Sequence, residues 1–253
     1  NEFKRLGVTG DFKNYYSTMS FTAEAQIVRE LGKFLLDGSL YQGFKPVFWS
    51  TVEKTALADA EVEYHDHTSN TIFVAFRVKE SPKDFLKDSN IIIWTTTPWT
   101  IPANKALAFN SNIEYALVEI SDLENFKEKK IIVATNLIDS IVKSCAIEKF
   151  KILKTFNGSE FEGTICKHPF ETLGYNFNVP MLDARFVTLE QGTGIVHCAP
   201  SHGPDDFNLC LKHNISSKYT IDNAGYYTDE IPYFTKTHVF KADPIVIDKL
   251  KEV

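Results

Sequence analysis

Two hydrophobic periodicities divide the chain. Between Phe21 and Asp37, large apolar residues recur at the three- and four-residue spacing of one helical face, and Gly38 follows at the expected end. This pattern predicts a helix with a buried apolar stripe. The stripe consists of Ile27, Val28, Leu31, Phe34 and Leu35.

Beyond Gly43, the pattern changes to short runs rich in β-branched and aromatic residues, separated by polar turns. These runs predict strands at Pro46–Trp49, Glu61–Tyr64, Thr71–Val78, Ile91–Thr96, Tyr115–Ile120, Lys130–Ala134 and Phe150–Lys154. Helical patterns are fewer and predict helices at Leu137–Cys145, Pro204–Lys212 and Pro244–Lys251.

The helices are too few and too irregularly spaced for repeated βαβ units. We therefore expect an α+β, β-rich fold: a closed or strongly curled β-barrel with a few peripheral helices and a flanking N-terminal helix. The polar stretches Asp122–Lys129 and Gly158–His168 are expected to be surface loops.

Composition narrows the functional classes. With 43% hydrophobic residues the chain can bury a core, and no apolar run is long enough to span a bilayer. The net charge of −6 argues against a domain that grips nucleic acid through many phosphates. The four cysteines show no two-residue spacing, so we expect reduced thiols in a cytoplasmic protein. A monomer is the default expectation for its oligomeric state.

The first segment with candidate chemistry runs from Ile91 to Asn104, where an apolar strand leads into hydroxyl residues and then into Pro98. Thr95, Thr96 and Thr97 at the mouth of a strand can orient a water, a ribose hydroxyl or an ester oxygen without adding charge. The alternative is that threonine is simply a good strand residue.

The second segment runs from Gln191 to Phe207, where glycines flank a short strand that carries His197 and a helix begins after Gly203. Asp205 and Asp206 fall in the first turn of this helix, where the helix dipole favours anions. A carboxylate there can bind an ammonium group. Alternatively, the acids only start the helix and His197 is a satisfied core residue. His197, His202 and Asp206 match no zinc signature, so we expect no metal.

The two segments occur together as Trp-Thr-Thr-Thr-Pro-Trp-Thr followed by Pro-Ala-Asn, and as Gly-Thr-Gly-x-Val-His followed by Ala-Pro-x-His-Gly-x-Asp-Asp. On these residues the chain resembles the editing insertion, or connective peptide, of bacterial-type class I isoleucyl-tRNA synthetases. The valine and leucine enzymes resemble it less, because their Thr pair typically continues with Arg-Pro where this chain has Thr97-Pro98. The resemblance extends over residues 3–8, 40–43 and 56–64.

The resemblance implies a domain division: a connecting segment with a helix at 1–45, the editing domain at 46–240 and a returning helix at 241–253. The chain begins with Asn in mid-pattern, so we expect it to be a piece of the parent enzyme. Two departures stand out. Ser50 and Glu53 occupy places where many bacterial relatives have a Cys-x-x-Cys, and the His-Ile-Gly-His and Lys-Met-Ser-Lys-Ser segments are missing. The chain is therefore not expected to activate an amino acid.

The implied activity is hydrolysis of valine mis-attached to tRNA(Ile), and possible substrates are the 3' end of valyl-tRNA(Ile) and valyl-adenylate. Asp206 would bind the α-ammonium group, His197 would gauge the side chain or act as a base, and Thr95, Thr96 and Thr97 would orient the attacking water. Trp94, Thr100, Asn104 and Asp205 would support substrate binding.

No cofactor is expected for editing, because ATP and Mg serve the catalytic core of the parent. The rival hypotheses are an amino-acid-binding module without turnover, a metal-dependent or serine-type hydrolase, and an editing domain of a valyl or leucyl enzyme.

Overall fold

The structure, a computed structural model, describes residues 2–121 and 129–253. The chain divides into two compact units, Asn1–Phe44 and Lys45–Val253. Within the described ranges, no helix is long and apolar enough to cross a membrane. Residues 122–128, most of the turn predicted at Asp122–Lys129, lie outside these ranges.

The first unit contains helices α1 (Glu2–Arg5) and α2 (Phe21–Leu36). Ser20 caps α2 by accepting a hydrogen bond from the Ala23 backbone N–H at 3.4 Å. The predicted helix is confirmed, but the prediction of a buried stripe is wrong. Residues 2–44 contain no strand and no second long helix that could cover the stripe within this unit. More than half of each side chain is exposed in Ile27, Val28, Leu31, Phe34 and Leu35.

The second unit is built around a mixed sheet of nine strands, with the spatial order β11-β5-β10-β9-β3-β4-β7-β6-β8. The pairs β4–β7 and β5–β10 are parallel, and the other pairings in this sheet are antiparallel. A separate two-stranded hairpin is formed by β1 (Trp49–Ser50) and β2 (Thr55–Ala56). The nine strands are β3 (Ile72–Glu80), β4 (Asn90–Thr95), β5 (Ala106–Phe109), β6 (Glu114–Ile120), β7 (Lys130–Ala134), β8 (Phe150–Asn157), β9 (Ile165–Lys167), β10 (Asn178–Asp183) and β11 (Val196–Cys198).

Helices of this unit are short and lie between strands or at its C-terminal end. The α-helices are α3 (Ile138–Ser144), α4 (Pro204–Lys212) and α5 (Ala242–Glu252). The 3₁₀ helices are Asp59–Glu61, Asp84–Leu86, Pro98–Ala103, Thr135–Leu137, Gly158–Phe161, Glu171–Leu173 and Val239–Lys241.

The predicted barrel is wrong: in the part of the chain that the structure describes, the sheet is open, with β8 and β11 at its edges. Closure requires the two edge strands to pair with each other, and alternation of apolar residues does not report which strands pair. Strand β8 shows how a free edge is protected: only Phe156 of its eight residues is buried, and Lys151 and Lys154 stand among the exposed ones.

Most predicted elements are confirmed to within a few residues, including β7 and α4 at their predicted bounds. Two strand predictions are wrong: Glu61–Tyr64 forms no strand, and of Pro46–Trp49 only Trp49 is in one. Strands β2, β5, β9 and β10 were not predicted: the first three have only two to four residues, and β10 contains Pro180, which counts against a strand in a sequence pattern. The surface loop predicted at Gly158–His168 is also wrong, because this stretch contains β9 and the buried residues Phe161 and Cys166.

Strand β4 brings the first chemical segment into the core. From Asn90 to Ile93 every residue is buried, as expected for an interior strand with neighbours β3 and β7. The strand ends at Thr95, and Pro98 begins the 3₁₀ helix Pro98–Ala103 because its fixed φ suits a first helical position. The hydroxyl residues therefore lie where a buried strand turns sharply out of the sheet.

Candidate functional site

A cluster of hydroxyl groups lies at the end of β4. Thr95 is buried, and its Oγ1 accepts a hydrogen bond from the Thr97 backbone N–H at 3.1 Å. The Thr97 hydroxyl lies 3.2 Å from that of Thr95 and 3.4 Å from that of Thr100, and Thr100 Oγ1 donates to the Thr97 carbonyl at 2.9 Å. These contacts make Thr95, Thr97 and Thr100 one connected cluster, of which Thr97 is the exposed member.

His197 enters this cluster from β11. Antiparallel pairing places His197 opposite Leu107 on β5, so its side chain reaches the start of β5 and the preceding 3₁₀ helix. Its Nε2 lies 3.0 Å from Thr100 Oγ1, and its Nδ1 lies 3.4 Å from Asn104 Nδ2. The second chemical segment thereby meets the first through two side-chain contacts.

Burial determines the charge of His197. The imidazole is 8% exposed, and desolvation, followed by the nearby His202, lowers its pKa from 6.5 to about 4. At neutral pH the ring is therefore uncharged. A neutral imidazole has one ring N–H donor and one acceptor nitrogen, so its two partners must differ in hydrogen-bonding role.

Asp206 lies at the third position of α4, in the first turn after Gly203. Its Oδ2 accepts a hydrogen bond from the Ala199 backbone N–H at 2.9 Å. Desolvation, partly offset by this bond, raises the pKa of the carboxyl from 3.8 to about 6. No hydrogen bond from a described residue reaches the second oxygen, so one carboxylate oxygen remains free for a ligand.

Gly203 is required by the position of this carboxylate. A Cβ at residue 203 would lie 2.7 Å from Asp206 Oδ2 and 2.9 Å from its Cγ, which is closer than such atoms approach. The φ of Gly203 is −108°, which any residue can adopt, so glycine is needed here for space and not for its backbone conformation. The Gly203-Pro204 pair therefore both starts the helix and leaves room for the acid.

Three of the predicted site residues lie outside these contacts. Thr96 and Asp205 are exposed, and their side chains form no hydrogen bond with the described residues. Trp94 is half-buried, and a Cβ at Gly192 would lie 3.5 Å from its ring. The structure thus brings Thr95, Thr97, Thr100, Asn104 and His197 together, holds Asp206 beside Ala199, and leaves Thr96, Asp205 and Trp94 at the periphery.

The ring of His202 packs edge-on against Trp99, with centroids 4.9 Å apart, and its Nε2 contacts Thr220 Oγ1 at 3.2 Å. Desolvation lowers its pKa to about 4. Sequence reasoning considered His202 only as a possible metal ligand. Among the described residues, no group of three or more His, Cys, Asp and Glu side chains is arranged to hold a metal ion.

His168 contacts the 3₁₀ helix that carries Thr100, and it was not among the residues predicted from the sequence. It is 1% exposed, its Nε2–H donates to the Ile101 carbonyl at 3.1 Å, and its Nδ1 accepts from the Phe170 backbone N–H at 3.1 Å. The ring stacks on Tyr175 at 4.6 Å. Its aromatic neighbours, Phe170 and Phe177, follow closely in sequence, but nothing local indicates a bond to Ile101.

The sequence matches the family model of tRNA synthetases class I (I, L, M and V) over residues 1–253. The chain belongs to this family. Within it, the chain is 64% identical over 251 residues to the isoleucine–tRNA ligase of Pelagibacter ubique, covering 99% of this chain and 28% of that protein. It is 47% identical over 257 residues to the isoleucine–tRNA ligase of Gluconobacter oxydans, covering 99% of this chain and 27% of that protein. The chain thus spans little more than a quarter of the length of these relatives.

Two solved structures share the fold. One is GlLeuRS-CP1, with a TM-score of 0.54 and 14% identity, covering 72% of this chain and 96% of that one. The other is the editing domain of P. knowlesi cytosolic leucyl-tRNA synthetase, with a TM-score of 0.52 and 12% identity, covering 73% of this chain and 94% of that one. At these identities the likeness concerns the fold alone.

Proposed function

We propose that the chain is the editing part of an isoleucyl-tRNA synthetase and hydrolyses valine mis-attached to tRNA(Ile). The observation that carries the proposal is that β11 and the residue directly after it contact both the hydroxyl cluster and the Asp206 carboxylate. His197 meets the hydroxyl cluster, and two residues further on the Ala199 N–H holds the Asp206 carboxylate. Two residues of extended chain span at most about 7 Å. The backbone positions that make these two contacts are therefore close, which supports one site that holds both an anionic group and hydroxyls able to orient a water.

The need for such a site is physical. Isoleucine and valine differ by one methylene, and isoleucyl-tRNA synthetase is itself the standard example of a pocket that gains only about 1–3 kcal/mol from that difference. A second site can instead exclude the larger amino acid by its size and destroy the product made with the smaller one. The high identity to isoleucine–tRNA ligases supports this substrate pair.

In the proposed mechanism, the free oxygen of Asp206 accepts hydrogen bonds from the α-ammonium group of valine. This charge-assisted contact excludes acyl groups without a free amine. Thr95, Thr96 and Thr97 bind the ester or the terminal ribose and orient a water near the carbonyl carbon, so that catalysis rests mainly on positioning. His197 forms part of the wall that gauges the side chain.

Further binding residues are assigned by their places around this centre. Thr100 and Asn104 hold His197, Trp94 lies beside Gly192, and Asp205 strengthens the negative field at the start of α4. The proposed partners are the 3' end of valyl-tRNA(Ile), valyl-adenylate and the rest of the synthetase. Editing needs no cofactor in this scheme, and ATP and Mg would act in the catalytic core. Segments 1–45 and 241–253 would lead from and to that core.

The experiment compares release of valine from valyl-tRNA(Ile) and of isoleucine from isoleucyl-tRNA(Ile), in the presence of a chelator. Asp206→Asn keeps the size of the side chain and an acceptor for the Ala199 N–H but removes the charge. Its matched control is Asp139→Asn, which removes an exposed acid from the first turn of another helix, α3. We expect wild type to release valine and spare isoleucine. Asp206→Asn should be at least about 100-fold slower, roughly 3 kcal/mol, and Asp139→Asn should stay within about threefold of wild type.

Other results of this deacylation experiment would favour one of the rival hypotheses. Equal loss in both variants would contradict a specific ammonium contact. Valine binding that depends on Asp206 without any release would indicate an amino-acid-binding module. Loss of activity with the chelator or with a serine-directed reagent would indicate a different hydrolase, and preferential action on mischarged leucine or valine tRNA would assign the domain to a sister enzyme.

A further inference from the structure

The side-chain amide of Asn104 has one possible orientation in this structure. Asn104 is fully buried, and its Nδ2 lies 2.9 Å from the Ala106 carbonyl oxygen. A carbonyl oxygen only accepts, so the atom facing it must be the NH₂ group. The other N–H of the same group is then available to His197 Nδ1, at 3.4 Å.

This orientation determines where the ring proton of His197 lies. A proton on Nδ1 would face the amide hydrogens of Asn104, so Nδ1 must be the acceptor. The proton of the neutral ring is then on Nε2 and is donated to Thr100 Oγ1 at 3.0 Å. The Thr100 hydroxyl in turn donates a hydrogen bond to the Thr97 carbonyl at 2.9 Å. Donors and acceptors thus run in one direction from Asn104 to Thr97.

We propose that Asn104 holds His197 in the Nε2–H tautomer, and that His197 acts as a positioning residue that orients the Thr100 and Thr97 groups and takes no proton from the attacking water. Neither ring nitrogen has an uncommitted lone pair, because Nδ1 accepts from Asn104 and Nε2 carries the proton. The burial that keeps the ring neutral supports this assignment. The consequence for hydrolysis rests on the proposed editing function, whereas the tautomer itself does not.

The tautomer can be read directly by NMR. In the chain labelled with ¹⁵N-histidine, long-range ¹H–¹⁵N correlations at pH 7 distinguish a protonated from an unprotonated ring nitrogen. The chain has seven histidines, and the spectrum of His197→Gln assigns the signals of His197. We expect a protonated Nε2 and an unprotonated Nδ1. His168, whose two backbone partners require the same tautomer, is an internal reference. A protonated Nδ1 or averaged signals at His197 would overturn the proposal.

Asn104→Asp tests the cause, because a carboxylate cannot donate to Nδ1 and attracts a proton there. We expect the proton to appear on Nδ1, with the signals of His168 unchanged. Asn90→Asp is the matched control: Asn90 is also buried, is 5% exposed, and contacts the Lys130 carbonyl. The Asn90→Asp variant buries a carboxyl group at a similar cost. In its spectrum the His197 signals should match those of wild type. An unchanged tautomer in Asn104→Asp, or the same change in Asn90→Asp, would contradict the proposal.

A kinetic test separates positioning from base catalysis. Thr100→Val removes the hydroxyl that accepts from Nε2, whereas Thr100→Ser retains it. With valyl-tRNA(Ile) as substrate, we expect Thr100→Val to lower kcat about tenfold or more with little change in KM, and Thr100→Ser to restore at least half of the wild-type kcat. A kcat in Asn104→Asp equal to wild type, with the proton moved to Nδ1, would overturn the positioning role. Failure of wild type to hydrolyse the substrate would count against the editing function and leave the NMR result standing.

Discussion

Two buried histidines hold the 3₁₀ helix Pro98–Ala103, and their surroundings differ. His168 lies among aromatic rings and bonds only to backbone groups, the Ile101 carbonyl and the Phe170 N–H. His197 lies among polar side chains and bonds to Thr100 and Asn104. Both have a lowered pKa, to about 3 for His168 and about 4 for His197, with desolvation as the main cause.

The comparison shows that burial and a lowered pKa do not by themselves identify a functional histidine. The partners are more informative. Backbone partners fix the chain path, so His168 is a structural residue that supports Ile101. Side-chain partners connect His197 to the exposed Thr97 hydroxyl, so under the proposed function a change at His197 would reach a ligand bound at Thr97. We therefore expect the two residues to separate stability from activity.

The largest expected effect is on stability. His168→Ala removes two hydrogen bonds and a ring packed among aromatic neighbours, and should lower the free energy of unfolding by about 3–4 kcal/mol. His197→Ala should cost about 1–2 kcal/mol, because water can replace its bonds beside an exposed hydroxyl. Urea unfolding at pH 7.5 measures both. Equal costs would remove the distinction between a structural and a site histidine.

The next effect is acid destabilisation, which should be shared by the two histidines. An unfolded histidine has a pKa near 6.5, above both folded values, so the unfolded state binds more protons below pH 6.5. The stability from each neutral ring is complete above that pH and is lost as pH falls towards about 4 for His197 and about 3 for His168. At pH 5 the loss is about 2 kcal/mol per ring.

The measurement is the pH dependence of unfolding for wild type, His168→Gln and His197→Gln. Each variant should show a shallower slope between pH 6.5 and 5 than wild type. His202, whose pKa is also lowered to about 4, adds a similar slope to all three proteins and cancels in the differences. Slopes that match wild type would mean that the rings are already charged in the folded state.

The smallest expected effect is a gain in stability, and it concerns Asp206, which belongs to the same candidate site as His197. Ionised Asp206 is poorly solvated, so Asp206→Asn should raise the free energy of unfolding at pH 8 by about 1 kcal/mol, while activity falls. Because the folded pKa of about 6 lies above the unfolded value of 3.8, the gain should shrink as pH falls through 6 and vanish near 3.8.

The control for this prediction is Asp205→Asn, whose exposed side chain should change stability by less than about 0.5 kcal/mol at either pH. Thermal unfolding at pH 8 and pH 5 provides the comparison. A loss of stability in Asp206→Asn at pH 8 would show that the carboxylate serves the fold more than the site.

The sequence pattern was sufficient for most individual elements and for the two chemical segments. Local spacing identified β4, β7 and α4, because strand and helix periodicities are properties of neighbouring residues. The two chemical segments contain Thr97, His197 and Asp206. The residue types, and the position of Asp206 in the first turn of a helix, already limit their chemistry. The open sheet was missed because pairing between distant strands leaves no local periodicity.

The sequence by itself determined which side chains could carry chemistry: hydroxyls at a strand end, a histidine on a short strand and an acid in the first turn of a helix. The tertiary structure alone decided what they contact. Pairing of β11 with β5 brought His197 to Asn104, a residue 93 positions earlier in the chain, and thereby set the direction of its hydrogen bonds. Burial lowered the pKa of His197 and raised that of Asp206. Solvation and long-range contact belong to the folded chain, so no local pattern could contain them.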